Sequence, residues 1–354
     1  MALANVAVQT GLSLVRQHPF YVDRCGFPVR ASYFPERTAG LGTDRWLALA
    51  KAALNDMISH LPDTGRTDSR RQKPELDRVS LWIVLPESER PGVPHDVVSQ
   101  LRNIKAANGT SWKWIEVVRG GHAAGVTAWI GASAALESGG ASMAVVLGVD
   151  CYLAPEALMW LEEKRWLHGS RLPWRGEPRP NPYGRVPGEA AAAVALSRGP
   201  RDSAWGRILG AETAFEPNTS SSLRPCTGGG LSEAARRAVT GADLGKGQVQ
   251  RIITDLNGEP YRADEYGFTA LRLSDVLAEN HPRVTPVLAS GDVGAATAVL
   301  QLGLAAWEAR AHPQVGIQLL LSSSDETLRG AVLVAPVESS EKGSSPATSL
   351  ARGA

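Results

Sequence analysis

Cysteine is scarce in this chain. Only Cys25, Cys151 and Cys226 occur in 354 residues, too far apart for a metal-ligand motif and too few for an even disulfide framework. A reduced, cytoplasmic setting is therefore expected. An excess of one charge is missing too: 37 Lys and Arg against 36 Asp and Glu leave a net +1, and no basic cluster is dense enough for a nucleic-acid footprint. No apolar run approaches the roughly 18 residues that cross a bilayer, and the N-terminus has no basic segment leading into an apolar one. A membrane span and a nucleic-acid partner are not expected, and no cofactor or metal motif stands out.

What is present suits a large globular core. Apolar residues make up 43% of the chain and charged residues 21%, enough for one big domain or two fused halves. Apolar runs alternate with helical periods. Strands are expected at Asn5 to Val15, Val79 to Leu85, Trp112 to Val118, Met143 to Val149 and Ala190 to Leu196. Helices are expected from Thr43, capped by Thr43 or Asp44, from Pro94 to Ala107, and from Ala123 to Ser138, where Gly139-Gly140 ends the Ala-rich run. The rhythm repeats with a helix at Leu231 to Val239, strands at Arg251 to Asp255 and Thr285 to Ala289, a helix at Val293 to Ala311, and strands at Val315 to Leu321 and Ala331 to Val334. Such alternation means an α/β fold with parallel sheet content. The Ser/Thr/Pro/Gly-rich stretch Glu216 to Gly230 suggests two units, 1–215 and 216–337. Residues 338–354 read as a disordered tail. The proline-rich segment His168 to Pro187 reads as a long loop.

Four segments carry chemical information. The first is Gly120-Gly121-His122-Ala-Ala-Gly125, a glycine turn between a strand and a helix, followed by Ala144-Val-Val-Leu-Gly-Val-Asp150. The second is Gly184-Arg-Val-Pro-Gly-Glu189-Ala-Ala-Ala-Ala-Val. The third is Ser290-Gly-Asp292-Val-Gly294-Ala-Ala-Thr297, and the fourth Asp255-Leu-Asn257-Gly258-Glu259. In order and spacing they resemble the β-ketoacyl-ACP synthase branch of the thiolase superfamily. The second is similar to the Gly-Phe-x-Pro-Gly-Glu-Gly-Ala element of those synthases and is the most specific match. The resemblance covers residues 1–337. It implies a thiolase fold: two similar α/β halves in five layers, α-β-α-β-α.

It also assigns roles by position. His122 stands where the synthases carry their cysteine nucleophile, Asn257 at the first hydrogen-bond donor and Asp292 at the second. The family holds its acyl chain as a thioester at a helix N-terminus, where the dipole favours thiolate. The two donors stabilise the developing enolate. Imidazole can accept an acyl group, but acyl-imidazole is labile. Asn257 keeps an amide donor, whereas an ionised Asp292 only accepts. Loss of a nucleophile costs on the order of 10⁶ in turnover in a serine protease. The glycine loop expected between the closing strands is replaced by Ser322-Ser-Ser-Asp-Glu326.

Plainer readings stand beside these. His122 could be a helix-start residue with one local bond, Asp292 an N-cap, and Asn257-Gly258 a turn pair. Gly188 and Glu189 read as structural. Cys226, in Pro-Cys-Thr-Gly-Gly-Gly, invites a nucleophile reading but is off the family's position, and Cys151 reads as a core thiol. Trp112 and Trp114, two apart on one strand face, fill either a twofold dimer interface or the core. Trp160, Trp166 and Trp174 are candidates for a partner surface.

The resemblance implies a homodimer, or a heterodimer with an active synthase as in chain-length-factor subunits. An acyl-carrier protein, or a type VI secretion effector loaded by an adaptor, are further partners it suggests. The favoured expectation is a non-condensing scaffold. The alternatives are an acyltransferase or hydrolase using His122, oriented by Asp292 or Glu259, and an acyl-ligand binding module. An open tunnel to His122 favours the last two; a blocked site favours the scaffold.

Overall fold

A computed structural model describes residues 1–35, 40–61, 78–105, 111–171, 179–199 and 203–337. The stretch expected to be a tail, 338–354, lies outside the described residues, as do Trp174 and the end of the helix expected at Pro94 to Ala107.

The core is two mixed sheets of like topology. The first has strands β3 (Val79–Leu85), β4 (Trp114–Arg119), β5 (Met143–Cys151) and β6 (Glu189–Leu196) in the order β4-β3-β5-β6. The second has β7 (Arg207–Phe215), β8 (Val249–Thr254), β9 (Arg283–Val284), β10 (Ile317–Ser323) and β11 (Leu328–Ala335) in the order β9-β8-β10-β11-β7. In each, three strands are parallel and the next is antiparallel: β3 pairs parallel with β4 and β5, and β5 antiparallel with β6. The same holds for β8 with β9 and β10, and for β10 with β11. β7 lies in the second sheet.

Alternating residues send each strand's two faces into different clusters. In β5, Val145, Leu147 and Val149 face helices α2 (Thr43–Ser59) and α3 (Val97–Arg102), together with Trp46, Leu54 and Leu101. Ala144 and Val146 face the middle layer, where α4 (Ala124–Glu137) and α9 (Thr297–Ala311) lie between the sheets. In β10, Leu320 faces that layer, while Leu319 and Leu321 face α6 (Gly229–Gly241). With α7 (Pro260–Arg272) packed on α6, the order is α-β-α-β-α. The two middle helices approach closely because their contact residues are small: a Cβ on Gly125 would lie 2.9 Å from that of Ala298.

Several local expectations are corrected. Asn5 to Val15 is not a strand: α1 (Ala2–Thr10) is helical, and the hairpin strand β1 (Val15–Val22) begins only at Val15, pairing with β2 (Pro28–Ser32). Asn5 donates to Glu308 of α9 at 3.0 Å, and Gly11, at φ 70°, ends the helix. Thr285 to Ala289 is not a strand either. Pro286, which has no N–H for a ladder, opens the short helix α8 (Val287–Ser290). Helix α2 is preceded by Gly42 as its cap, with Thr43 already inside. Helix α5 (Pro155–Glu163) follows β5. Trp112 and Trp114 do not share a face. The strand starts only at Trp114, so Trp112 enters the outer cluster and Trp114 the middle one.

Candidate functional site

The loops at one end of both sheets converge where the middle helices begin. A single 3-10 turn precedes each helix, Gly121–Ala123 before α4 and Gly294–Ala296 before α9, and the two turns touch. His122 sits in the first turn. Asp292 lies just ahead of the second. The loop after β8 supplies Asn257 and Glu259, the first turn of α7 supplies Arg262, and the loop between β10 and β11 supplies Asp325. Close backbone contact fixes this arrangement. Gly258 has φ 100°, and a Cβ there would lie 2.5 Å from the Gly184 carbonyl oxygen. The N–H of Gly184 donates to Gly258 O at 3.1 Å, bringing Arg185 beside Asn257.

The three residues expected from the sequence are brought together. His122 Nε2 lies 2.7 Å from Asp292 Oδ1, which also accepts from the Gly294 N–H at 2.9 Å. Asn257 Nδ2 donates to Asp292 Oδ2 at 2.7 Å and to Glu259 Oε2 at 3.0 Å. Asp292 is not the N-cap expected of it: Val293 precedes the 3-10 turn and Ala296 precedes α9, and the Asp292 oxygen that meets His122 accepts from the N–H two residues on. Arg185 Nε lies 3.5 Å from Asp292 Oδ2, and its Nη2 donates to Glu259 at 2.8 Å and to Asp325 at 2.7 Å. Arg262 donates to Glu259 at 3.0 Å, Asp255 at 2.7 Å and Asp325 at 3.1 Å. His122, Asp292 and Arg185 are each only 1% exposed. The site is a closed lattice of ion pairs.

Burial opposes charge on His122, but the adjacent Asp292 carboxylate outweighs it and raises the imidazole above its usual range. Burial likewise opposes ionisation of Asp292, yet His122 and Arg185 hold it well below the usual carboxylate range. Both shifts favour the charged forms of the two groups. Nδ1 of His122 has no hydrogen-bond partner among the described residues. The helix-start donor is also engaged: the Ala123 N–H donates to Ser324 Oγ at 3.0 Å, and that hydroxyl donates in turn to the Gly120 carbonyl. Beside the turn, burial pushes the Glu87 carboxyl up, and its Oε1 has no hydrogen-bond partner among the described residues.

No protein-family model matches the chain, and no curated protein matches it significantly. Solved structures do match over nearly its whole length. The ishigamide ketosynthase/chain length factor aligns with TM-score 0.65 at 18% identity, covering 95% of each chain. A type II PKS acyl-carrier protein in complex with its ketosynthase, AntDE:AntF, aligns at 0.69 and 14%, again covering 95% of each. The ketosynthase of module 6 of the bacillaene synthase from Bacillus subtilis 168 aligns at 0.67 and 14%, covering 94% of this chain and 68% of that one. The chain has the thiolase-like ketosynthase fold.

Within this ketosynthase-like fold the remaining candidates find ordinary places. Glu189 is paired with Arg45 and accepts the Phe34 N–H at 2.9 Å. Cys151 donates its thiol to Glu189 at 3.5 Å, and burial pushes that thiol up, so it stays protonated. Among the described residues one donor group has metal-ligand proximity: Glu216, Cys226 and Glu265 lie within 4.8 Å of one another. Each already has partners. Glu216 accepts the Asn218 and Gly230 N–H groups, Arg329 donates to Glu265 at 2.6 Å, and the Cys226 thiol is raised by burial. Trp160 and Trp166 meet edge to face at 5.3 Å over a small buried cluster. No helix of the described residues is long and apolar enough to cross a membrane.

Sequence reasoning missed Arg185, Arg262 and Asp325. Arg185 left a readable signal, since it occupies the position where the resembled element carries phenylalanine. Asp325 lies in the Ser322–Glu326 stretch that replaces the glycine loop, but its charge was not singled out there, and Arg262 lies outside any motif and enters only through the fold.

Proposed function

We propose that this chain is a ketosynthase-like subunit that does not condense acyl units and serves as a scaffold or adaptor in a larger assembly. The carrying observation is the 2.7 Å contact between His122 and Asp292, sealed by Asn257 and Arg185. Condensation needs a nucleophile free to hold an acyl group and donors free to face an enolate. Here the residue at the nucleophile position is an imidazole tied to a carboxylate. The Asn257 amide is spent on Asp292 and Glu259, and Asp292 presents negative charge where a developing anion would stand. Cys151 does not replace the lost group, because its buried thiol faces the Glu189 carboxylate.

The partner follows from the fold's edge. β4 closes the first sheet without a further neighbour among the described residues, so a twofold copy or a related synthase can continue the sheet there. One neighbour in fold is a ketosynthase/chain length factor and another binds an acyl-carrier protein. A synthase partner, a carrier protein or a secretion effector as cargo are the corresponding roles.

A second reading has one observation in its favour. Among the described residues His122 Nδ1 has no hydrogen-bond partner while Nε2 is anchored to Asp292, the arrangement of a histidine held ready as a base in a hydrolase or acyltransferase. Thioester turnover separates the two. Incubation with acetyl-, long-chain acyl- and malonyl-CoA should release thiol and CO2 no faster than buffer. Release that disappears in His122→Ala would overturn the scaffold reading and establish the second.

A further inference from the structure

The hairpin of β1 and β2 is interrupted opposite Val29. Gln17 pairs with Arg30 and Val22 with Pro28, so residues 18–21 bulge against Val29 alone. The N–H groups of Phe20 and Tyr21 turn inward and donate to Nδ1 of His18, at 3.4 and 3.0 Å. His18 is only 5% exposed, and its ring meets those of Phe20 and Tyr21 edge to face at 4.6 and 6.1 Å. A ring nitrogen that accepts two bonds carries no proton, so the imidazole is neutral, with its hydrogen on Nε2.

The surrounding groups agree. Burial, and then Arg45 of α2, oppose a positive charge and outweigh the Leu153 carbonyl beyond β5, which favours one. Arg45 is itself paired with Glu189 of β6, and the Tyr21 hydroxyl donates to Glu162 of α5 at 3.2 Å. Asp23 accepts the N–H groups of Cys25, Phe27 and Arg171. Among the described residues no carboxylate bonds the His18 ring.

The hairpin lies beside the segment that holds the buried site. Tyr21 and Val29 pack with Leu158, Leu161, Trp160 and Trp166 in one small cluster, and the Trp166 ring lies 5.1 Å from the Arg185 guanidinium. The Ser32 N–H donates to the Pro187 carbonyl at 2.9 Å. The Asp292 N–H donates to Val186 O, and the Gly188 N–H to Asp292 O, both at 2.8 Å. Hairpin, segment 186–188 and Asp292 therefore run side by side, bridged in that order.

We infer that the β1–β2 hairpin is an acid-released cap beside the His122–Asp292 site, latched by the His18 imidazole. When a proton from solvent binds Nδ1, both ring nitrogens become donors. The new N–H points at the N–H groups of Phe20 and Tyr21, and the bulge opens to turn the ring to water. Release there draws Tyr21 and Val29 from the tryptophans and Ser32 from Pro187, which uncovers the segment next to Asp292. A group lowered in the fold stabilises it fully above the unfolded value of 6.5, and that stabilisation is lost as pH falls through the folded value. The sign is opposite to that of His122. The inference goes beyond the scaffold reading, since the cap opens whatever chemistry His122 can do.

The test is amide hydrogen exchange of the full chain at about pH 7.5 and about pH 5, each corrected for the intrinsic exchange rate. Opening linked to one proton grows by up to about ten-fold per pH unit. Protection across residues 16–32 and 185–188 should therefore fall at least five-fold at the lower pH, while β5 and β10 keep theirs. In His18→Asn, whose side-chain oxygen can accept the same N–H groups without titrating, protection should be equal at both. Equal protection in the unaltered chain would overturn the inference. So would the same loss in His18→Asn, which would move the latch to Asp23 or Glu162, or a hairpin that opens while 185–188 stays protected. Should His18→Asn not hold the hairpin, NMR of the unaltered chain with ¹⁵N-labelled histidine decides. Nδ1 of His18 must gain its proton over the pH interval in which hairpin protection falls, and a separation of the two events would overturn the latch.

Discussion

Replacing Asp292 with alanine removes the counter-charge of a buried histidine, and the structure sets the size of the effect. His122 Nε2 loses its partner at 2.7 Å, Asn257 one of its two acceptors, and the Gly294 N–H its acceptor. Arg185 keeps Glu259 and Asp325. Breaking one side of a buried pair costs about 3–5 kcal/mol, and losing the hydrogen bond to the Gly294 N–H about 1 kcal/mol. The sum, about 4–6 kcal/mol, is a large share of a typical stability of about 5–15 kcal/mol. At about 2 °C per kcal/mol for a chain of this length, the melting temperature should fall by about 8–12 °C near pH 6. Scanning fluorimetry and circular dichroism read this directly. The pair also has to be coupled: His122→Leu/Asp292→Ala should lose clearly less than the sum of the two single variants. A fall under about 2 °C for Asp292→Ala, or strict additivity, would refute the claim that the pair is charged and sealed.

Other outcomes follow from the same geometry. His122 is raised above its unfolded value of 6.5, so its stabilisation is complete below pH 6.5 and is lost as pH rises through the folded value, at up to about 1.4 kcal/mol per pH unit. Melting temperature should therefore decline above pH 6.5, and less steeply in His122→Gln; equal slopes would mean an uncharged imidazole. Ser324→Ala strands the buried Ala123 N–H and should cost about 1–3 kcal/mol without raising thioester turnover, as denaturant titration and a thiol-release assay would show. Gly258→Ala sets a Cβ against the Gly184 carbonyl at positive φ and should lower stability by about 1–3 kcal/mol; a neutral variant would mean that the two loops do not touch.

The middle of the fold was legible because burial on both faces leaves no ambiguity. The runs Val79–Leu85, apolar but for Ser80, and Met143–Val149 form the strands expected of them. The Ala-rich segment after His122 forms α4, since small side chains let it lie against α9. The edges were not legible. Asn5 to Val15 alternates like a strand, yet one long-range contact, Asn5 to Glu308, accompanies a helix. The sequence motifs brought His122, Asn257 and Asp292 to one place, because each marks a loop at the same end of a sheet. The charges that close the site come from Arg185, Arg262 and Asp325, which meet only when residues up to 140 apart in sequence converge. Periodicity carries no trace of such pairs.

The most direct measurement is intact-mass spectrometry of the purified protein after incubation with acyl-CoA and acyl-carrier-protein donors, with His122→Cys and His122→Ala alongside. A sealed, non-condensing site should give no covalent adduct on the unaltered chain, and none on His122→Cys, because Arg185, Asn257 and Asp292 still close the space around that residue. An acyl adduct on the unaltered chain that disappears in His122→Ala would contradict the account.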